Sequence, residues 1–153
     1  MEEHKINFLK NDLILFIRKL KGDEKPKWGK MNAQQMIEHT AAFFKVSTGK
    51  IQFPLITSAE HLPKYKEFLL SDKEFKENTK APVLPEQPLP ITFSTILEAV
   101  DDLDKSVKDF FNFFKEDADK TTLHPAFGNL NFSEWVQLHN KHVIHHLKQF
   151  NLM

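Results

Sequence analysis

Four of the eight histidines in this chain fall within one short stretch with helical spacing; they are His139, His142, His145 and His146. Imidazole binds transition metals and transfers protons near neutral pH, so such a group points to chemistry. In a helix, residues three, four or seven apart share one face. By that rule His139, His142 and His146 lie beside the apolar line that should face the core, whereas His145 points well away from it.

A metal is the first explanation of this histidine row. His142 and His146 are four residues apart and therefore present two nitrogens across one helical turn, as in helical zinc sites. A third ligand has to come from another core-facing helix. His39 is the only candidate so placed, because it lies on the inward line of a second predicted helix, with Met36, Phe43 and Val46. Three imidazoles leave coordination positions open for water or substrate, which is typical of catalytic metal sites.

Simpler interpretations stand beside the metal site. A single core histidine more often makes a hydrogen bond than binds a metal, and histidines so close in sequence also fit a solvated, weakly basic face. The predicted interior position of three of them argues against solvation, because an unpartnered buried imidazole costs roughly 1 to 3 kcal/mol. His139 is a ligand, a hydrogen-bonding neighbour of a ligand or a general base, and its spacing leaves these alternatives open. His124 lies in a predicted loop before Pro125, where a structural turn is favoured over a role in the site.

The composition excludes several classes of protein. Basic and acidic residues balance at 21 each, so the charge gives no indication of binding to nucleic acid or to an anionic membrane. The chain has no cysteine, which removes disulfides, thiolate ligands and thiol nucleophiles. The apolar run from Leu13 to Ile17 is too short for a signal peptide or a membrane span. We therefore expect a cytoplasmic protein with a single domain over residues 1–153.

The periodicity of apolar residues predicts an all-α fold, a four-helix bundle. The predicted helices run from Ile6 to Leu20, from Asn32 to about Gly49, from about Phe93 to Glu116, and from Asn131 to Phe150. Fifteen phenylalanines against four glycines also favour long helices around an aromatic core. Phenylalanines cover nearly half of the circumference at the end of the third helix, so we expect this end to contact two neighbouring helices or the second chain of a homodimer; they are Phe110, Phe111, Phe113 and Phe114.

The connection between the second and third helices is long and rich in proline. Helical periodicity fails from Ile51 to Pro90, apart from a short predicted helix around Leu62 to Leu70, and four of the eight prolines lie between Pro82 and Pro90. A connection of this length in a compact domain usually acts as a lid or a wrap. The stretch from 121 to 130, TTLHPAFGNL, is predicted to be a loop, and no stretch is predicted to form a sheet.

Two parts of the chain together resemble a known family. The pairing of WGKMNAQQMIEH, from Trp28 to His39, with HVIHHLKQF, from His142 to Phe150, resembles the DinB-like, or YfiT-like, superfamily of metal-binding four-helix bundles. The intervening LHPAFGNLNFSEWVQLHNKH is similar to one bacterial branch of that superfamily that has no assigned substrate. The resemblance covers most of the chain and is weakest between residues 51 and 90.

The resemblance implies a divalent metal that is bound by one histidine of the second helix and by an H-x3-H pair on the last helix. Carried over residue by residue, these ligands are His39, His142 and His146. In the family the final ligand is usually followed by Arg-Gly-Gln, whereas this chain has Leu147, Lys148 and Gln149. The loss of the arginine and glycine affects any substrate contacts that these residues make in other members of the family. It leaves the three histidine ligands in place.

The resemblance also implies an activity. Some relatives are thiol transferases that use low-molecular-weight thiols such as bacillithiol or mycothiol, and others are described as metal-dependent hydrolases. We therefore expect an enzyme in which zinc or nickel, with iron and manganese as alternatives, activates water or a thiol for reaction with a small-molecule substrate. His139 or His124 would transfer a proton. The alternative is a non-catalytic helical bundle that acts in self-association or partner binding, with the metal structural or absent.

Overall fold

The computed structural model describes residues 2–79 and 84–153, which are mostly helical and include one small antiparallel sheet of two strands. In chain order the elements are α1 (Glu2–Asn7), a π-helical turn (Phe8–Asp12), α2 (Leu13–Ile17), α3 (Ala33–Ser47), α4 (Leu62–Leu70), α5 (Ile96–Lys115), β1 (Thr122–His124), β2 (Gly128–Leu130) and α6 (Phe132–Gln149). Within these described ranges, no helix combines the length and the apolar character needed to cross a bilayer.

Helices α3 and α6 begin where the sequence signals predict. The side chain of Asn32 accepts a hydrogen bond from the Gln35 N–H, and the Gln35 side chain accepts one from the Asn32 N–H, at 2.8 and 2.9 Å. Asn131 and Glu134 form the same reciprocal capping box at the start of α6. Both boxes satisfy N–H groups that the first turn of a helix leaves without partners. The first predicted helix is also present, although a π-helical turn interrupts its regular winding.

The phenylalanine-rich end of α5 is covered from within the chain. Phe110, Phe111 and Phe114 all pack against Phe132 of α6, with ring centroids 5.7 to 6.0 Å apart. The ammonium group of Lys10, in the π-helical turn, lies 4.8 Å from the centre of the Phe111 ring. The two neighbours expected from the sequence are therefore both present, and the homodimer stays a prediction.

The described chain is mostly helical, but the prediction that no stretch forms a sheet is wrong, because the predicted loop at 121–130 contains β1 and β2. β1 and β2 form a hairpin in which His124 pairs with Gly128. Gly128 has a φ of +84°, in the left-handed region that glycine adopts without strain, and it follows the turn of the hairpin. The sequence predicts a loop here because strands of three residues are too short to show an alternating pattern.

The hairpin connects α3 to α6. The hydroxyl of Thr122 donates to the carbonyl of Ser47 at 2.8 Å and accepts from the indole N–H of Trp135 at 2.7 Å. Trp135 is fully buried, and its N–H has the partner that a buried indole needs. The backbone N–H of Ile56 donates to the carbonyl of Pro125 at 2.9 Å, so the connection after α3 also contacts the hairpin.

The long connection between α3 and α5 is attached to the helices in the parts that the structure describes. The predicted short helix is confirmed as α4, which lies against α6 through an ion pair between Lys66 and Glu134. Residues 80–83, which include Pro82, lie outside the described residues. The predicted proline-rich stretch can therefore be followed only from residue 84 onward.

Residues 89–93, called the strap from here on, lie along the N-terminal half of α3. The side-chain amide of Gln35 donates to the carbonyl of Leu89 at 3.0 Å, and that of Gln34 donates to the carbonyl of Phe93 at 2.8 Å. Phe93, predicted to begin the third helix, therefore belongs to the strap. The helix itself begins three residues later, after a threonine N-cap.

Glu38 makes the most contacts with the strap. Its carboxylate accepts hydrogen bonds from the backbone N–H and the hydroxyl of Thr92, both at 2.8 Å, and from the N–H of Phe93 at 3.3 Å. Burial raises the pKa of Glu38, but hydrogen bonds from Gln34, Thr92 and Phe93 outweigh it and hold the pKa below its ordinary value. Because His39 is the next residue, Glu38 keeps the strap beside the helical turn that carries this histidine.

Replacing Glu38 with alanine is expected to release the strap without unfolding α3. The change removes three hydrogen bonds to the strap. Because the site is partly exposed, the free energy of unfolding should fall by only about 1 to 2 kcal/mol. Amide hydrogen exchange at Thr92 and Phe93 should become faster, while exchange within α3 should not. The control is Glu60→Ala, since the Glu60 side chain is 79% exposed. Equal exchange rates at Thr92 and Phe93 in Glu38→Ala and the parent would contradict this role.

Candidate metal centre

Helix α6 is buried on nearly every side, and its histidines have different neighbours. His142 and His146 face α3, where their rings contact the ring of His39. His145 lies on another side, as predicted, but it is only 8% exposed there. Its ring packs against those of Trp28 and Phe75, with centroids 5.3 and 6.0 Å away. The helical pattern underestimates this burial because the covering residues come from irregular segments.

The three histidines predicted as metal ligands converge from α3 and α6. The Nε2 atoms of His39 and His142 lie 3.0 Å apart, and those of His142 and His146 lie 3.1 Å apart. Each of the three offers one ring nitrogen within 4.8 Å of the others, close enough to hold a metal ion. The three residues predicted as ligands are therefore close enough together to hold an ion, although His39 lies 103 positions from His142 in the sequence. These three residues are called the histidine cluster below.

An aromatic ring packs against the cluster on one side. Phe43, one turn after His39, has its ring centroid 4.9 Å from that of His39 and 4.6 Å from that of His142. His146 is buried, whereas His39 and His142 keep partial exposure. The accessible side of the cluster is therefore the side of His39 and His142.

The cluster is uncharged at neutral pH. Burial, followed by the nearby His145, lowers the pKa of His39 to about 4. Burial also lowers the pKa of His142 and of His146 well below the ordinary value. His146 and His39 lower the pKa of His142 further, and His39 lowers that of His146 further. Neutral imidazoles keep a lone pair on one ring nitrogen, which is the form that binds metal ions.

Three neutral rings cannot form a hydrogen bond at both of the close Nε2–Nε2 contacts within the cluster. Each neutral imidazole carries a single N–H hydrogen. Nε2 of His142 lies at hydrogen-bonding distance from two other Nε2 atoms, yet it offers either one hydrogen or one lone pair. Nδ1 of His142 is buried and has no hydrogen-bond partner among the described residues.

A cation removes this conflict because it accepts one lone pair from each ring. Two nitrogens bound to one tetrahedral zinc ion are about 3.3 Å apart, since each bond is about 2.0 to 2.1 Å long. The observed separations of 3.0 and 3.1 Å are close to that value. The donor set and its spacing therefore fit a divalent ion.

Sequence reasoning assigned no role to Gln149, which contacts the cluster directly. Its Oε1 lies 2.7 Å from Nδ1 of His146, and its Nε2 donates to the carbonyl of Trp28 at 2.9 Å. Two signals were available: its position, because residues three apart on a helix are neighbours, and its match to the glutamine of the family's Arg-Gly-Gln motif.

Comparison with known families agrees with the geometry. Residues 19–150 match the family model of the DinB superfamily, a span that contains the whole histidine cluster. The chain belongs to the DinB superfamily. No match was found among curated proteins or among solved structures. Membership of the DinB superfamily confirms the resemblance stated from the two histidine-containing segments.

His139, predicted as a catalytic residue of this DinB-superfamily chain, is fully buried one turn before His142. Its Nε2 lies 3.0 Å from the hydroxyl oxygen of Ser47, and that hydroxyl donates to the carbonyl of Phe44 at 2.6 Å. The hydroxyl hydrogen is thus occupied, so His139 Nε2 is the donor to Ser47. Burial lowers the pKa of His139 well below its ordinary value. His139 does not belong to the histidine cluster, and its catalytic role stays a prediction.

His124, the other predicted catalytic residue, is the last residue of β1, directly before the hairpin turn. Its Nδ1 accepts hydrogen bonds from the backbone N–H groups of Ala126 at 2.9 Å and Phe127 at 3.3 Å. Burial lowers its pKa to about 4. Phe43 stacks on His124 at 6.0 Å between centroids and also contacts His142. These contacts fit the turn interpretation, while proton transfer by His124 stays a prediction.

Proposed function

We propose that this member of the DinB superfamily is a metal-dependent enzyme in which His39, His142 and His146 hold a divalent ion. The observation that carries the proposal is the convergence of three neutral imidazoles from two helices, with neighbouring Nε2 atoms 3.0 and 3.1 Å apart. Such an ion supplies Lewis acidity, which lowers the pKa of a water or thiol that binds beside the histidines. Zinc or nickel is the proposed ion, with iron and manganese as alternatives, because all four accept imidazole.

The residues of the chain prepare this site in two ways. Burial keeps the three imidazoles neutral, so that they need not lose protons before an ion binds. The Phe43 ring covers one side of His39 and His142, which leaves the remaining exposed side for a small molecule. An apolar wall next to a polar centre is the usual composition of a small-molecule site.

The proposed reaction is hydrolysis by water or transfer of a low-molecular-weight thiol, and either one needs groups that accept and donate a proton. His139 uses Nε2 to donate to Ser47, so its Nδ1 lone pair is the proposed proton acceptor. His124 uses the Nδ1 lone pair to accept from the turn, so its neutral ring carries hydrogen on Nε2 and is the proposed proton donor. His139→Gln and His124→Gln are therefore the variants in which to look for reduced turnover with unchanged metal content.

The proposal includes the finer fold and setting that the resemblance implies, namely a four-helix bundle in a cytoplasmic bacterial protein. The alternative function, self-association through the end of α5, has less support. The phenylalanines that suggested it pack against Phe132 and Lys10 of the same chain. Sedimentation of the purified protein tests the homodimer directly.

The proposal predicts that protein purified without a histidine tag carries about one divalent ion per chain. Elemental analysis before and after dialysis against EDTA measures this content. The loaded protein should then accelerate either ester hydrolysis or conjugation of a low-molecular-weight thiol to an electrophile, and the EDTA-treated protein should not. Protein without metal that also fails to bind added zinc or nickel would contradict the proposal.

A further inference from the structure

We propose that Gln149 is a positioning residue that fixes the tautomer of His146, and that the backbone carbonyl of Trp28 sets the orientation of Gln149. Together these contacts would direct the Nε2 lone pair of His146 toward the position of the ion. The inference rests on the proposed metal site for its purpose, whereas the tautomer itself can be measured without any ion.

The first step is the orientation of the Gln149 side-chain amide. A backbone carbonyl can only accept hydrogen bonds, so the group that faces the Trp28 oxygen at 2.9 Å has to be the NH₂ group. The Oε1 atom of Gln149 then faces the opposite way, toward Nδ1 of His146 at 2.7 Å. The Trp28 carbonyl therefore fixes the orientation of the Gln149 amide, which could otherwise exchange the positions of its oxygen and its NH₂ group with little change in shape.

The second step is the tautomer of His146. The Gln149 Oε1 atom is an acceptor, so Nδ1 of His146 has to carry the hydrogen. A neutral ring has no second hydrogen, and Nε2 is left with its lone pair. That atom lies 3.1 Å from Nε2 of His142, inside the histidine cluster. A donor that is held by a hydrogen bond on its other nitrogen binds a metal more strongly than a free one.

The segment around Trp28 is attached to α6 well enough to act as a fixed reference. The backbone N–H of Lys27 donates to the carbonyl of Gln149 at 2.8 Å, and the Trp28 ring packs against His145. Gly29 has a φ of +79°, and a Cβ at that position would lie 3.1 Å from the Gln149 Nε2 atom. A glycine therefore permits both the turn and the close approach of the Gln149 amide.

The parent protein tests the tautomer directly. Long-range proton–nitrogen NMR correlations of protein labelled with ¹⁵N-histidine, recorded without metal above pH 7, distinguish a protonated from an unprotonated ring nitrogen. We expect the His146 signals to show hydrogen on Nδ1 and a lone pair on Nε2. A His146 ring that carries its hydrogen on Nε2 would overturn the inference.

Variants test the consequence for metal binding. Gln149→Leu keeps the approximate volume but removes the acceptor, so the affinity for Zn²⁺, measured by competition with a chromophoric chelator, should fall by about 10- to 100-fold. Gln149→Glu keeps an acceptor for Nδ1 but places its second oxygen against the Trp28 carbonyl, which can only accept. This variant should therefore retain the parent tautomer and bind Zn²⁺ more tightly than Gln149→Leu but less tightly than the parent. The matched control is Gln137→Leu on the same helix, whose amide contacts Ser71 and Lys5 rather than the cluster.

The outcomes separate this inference from the proposed function. Equal zinc affinities of Gln149→Leu, Gln137→Leu and the parent would overturn the inference and leave the metal site standing. A folded Gln149→Leu protein, judged by circular dichroism, with weaker binding than Gln137→Leu would support it. If Gln149→Leu does not fold, two other measurements test the inference. They are the zinc affinity of Gln149→Glu compared with that of the parent, and the tautomer of His146 in the parent. A parent that has the expected tautomer but binds no zinc would count against the proposed function alone.

Discussion

His142→Ala is expected to lower the affinity for zinc by at least about 100-fold, which exceeds the usual effect of losing a neighbour of a ligand. His142 occupies the centre of the cluster, because its Nε2 atom is the one that lies 3.0 and 3.1 Å from the other two. Its removal leaves His39 and His146 as ligands from separate helices. Competition titrations with Zn²⁺ and Ni²⁺ measure the change, and elemental analysis of the purified variant gives a second measurement.

The matched control for this experiment is His145→Ala. His145 is buried on the same helix and contacts the ring of His146, but it does not belong to the histidine cluster. Its replacement also creates a cavity, so any general loss of packing should be at least as visible there. Weak binding in His142→Ala with near-parental binding in His145→Ala is the expected pattern. Parental stoichiometry in His142→Ala would remove this residue from the proposed ligand set.

Acidification from pH 7 to pH 4 is expected to destabilise the metal-free protein by several kcal/mol. Burial lowers the pKa of His124 from 6.5 to about 4 in the folded state, whereas the unfolded chain keeps the ordinary value. Between these two values the unfolded state binds more protons, so stability falls as the pH falls. A shift of this size corresponds to roughly 3 kcal/mol for His124 alone. His39, with a pKa also near 4, acts in the same direction.

Urea unfolding at pH 7.5, 6, 5 and 4.5 tests the acid effect, with His124→Asn as the informative variant. Asparagine keeps an acceptor for the two N–H groups of the turn but does not titrate in this range. The fall in the free energy of unfolding below pH 6.5 should therefore be smaller in this variant, by up to about 1.4 kcal/mol per pH unit. His61→Asn is the control, because the His61 side chain is 60% exposed. If the free energy of unfolding falls equally with pH in His124→Asn and in the parent, His124 is not responsible for the loss of stability in acid.

The sequence predicts the helices and the histidine cluster because both depend on local spacing. Helical periodicity places His142 and His146 one turn apart, and the same periodicity places His39 on the inward line of its own helix. Two helices that bury these lines against each other then have little freedom to separate the imidazoles. The capping boxes at Asn32 and Asn131 are equally local, and both are present.

The features that the sequence did not predict depend on contacts between distant residues. Gln149 acquires its role from a carbonyl 121 residues earlier, and no periodicity connects the two. The burial of His145 depends on Trp28 and Phe75, which lie in irregular segments. The hairpin was missed for a different reason, since three residues on each side of a turn are too few to define a period.

The separation of the cluster along the chain has a consequence for a protein that contains no cysteine. His39 and His142 are 103 residues apart, so an ion shared by them closes a loop over most of the molecule, as a disulfide would. Unlike a disulfide, this cross-link needs no oxidant and can be opened by a chelator. Binding of the ion would therefore stabilise the folded state by an amount that grows with the logarithm of the free metal concentration, so the metal supply would influence what fraction of the protein stays folded.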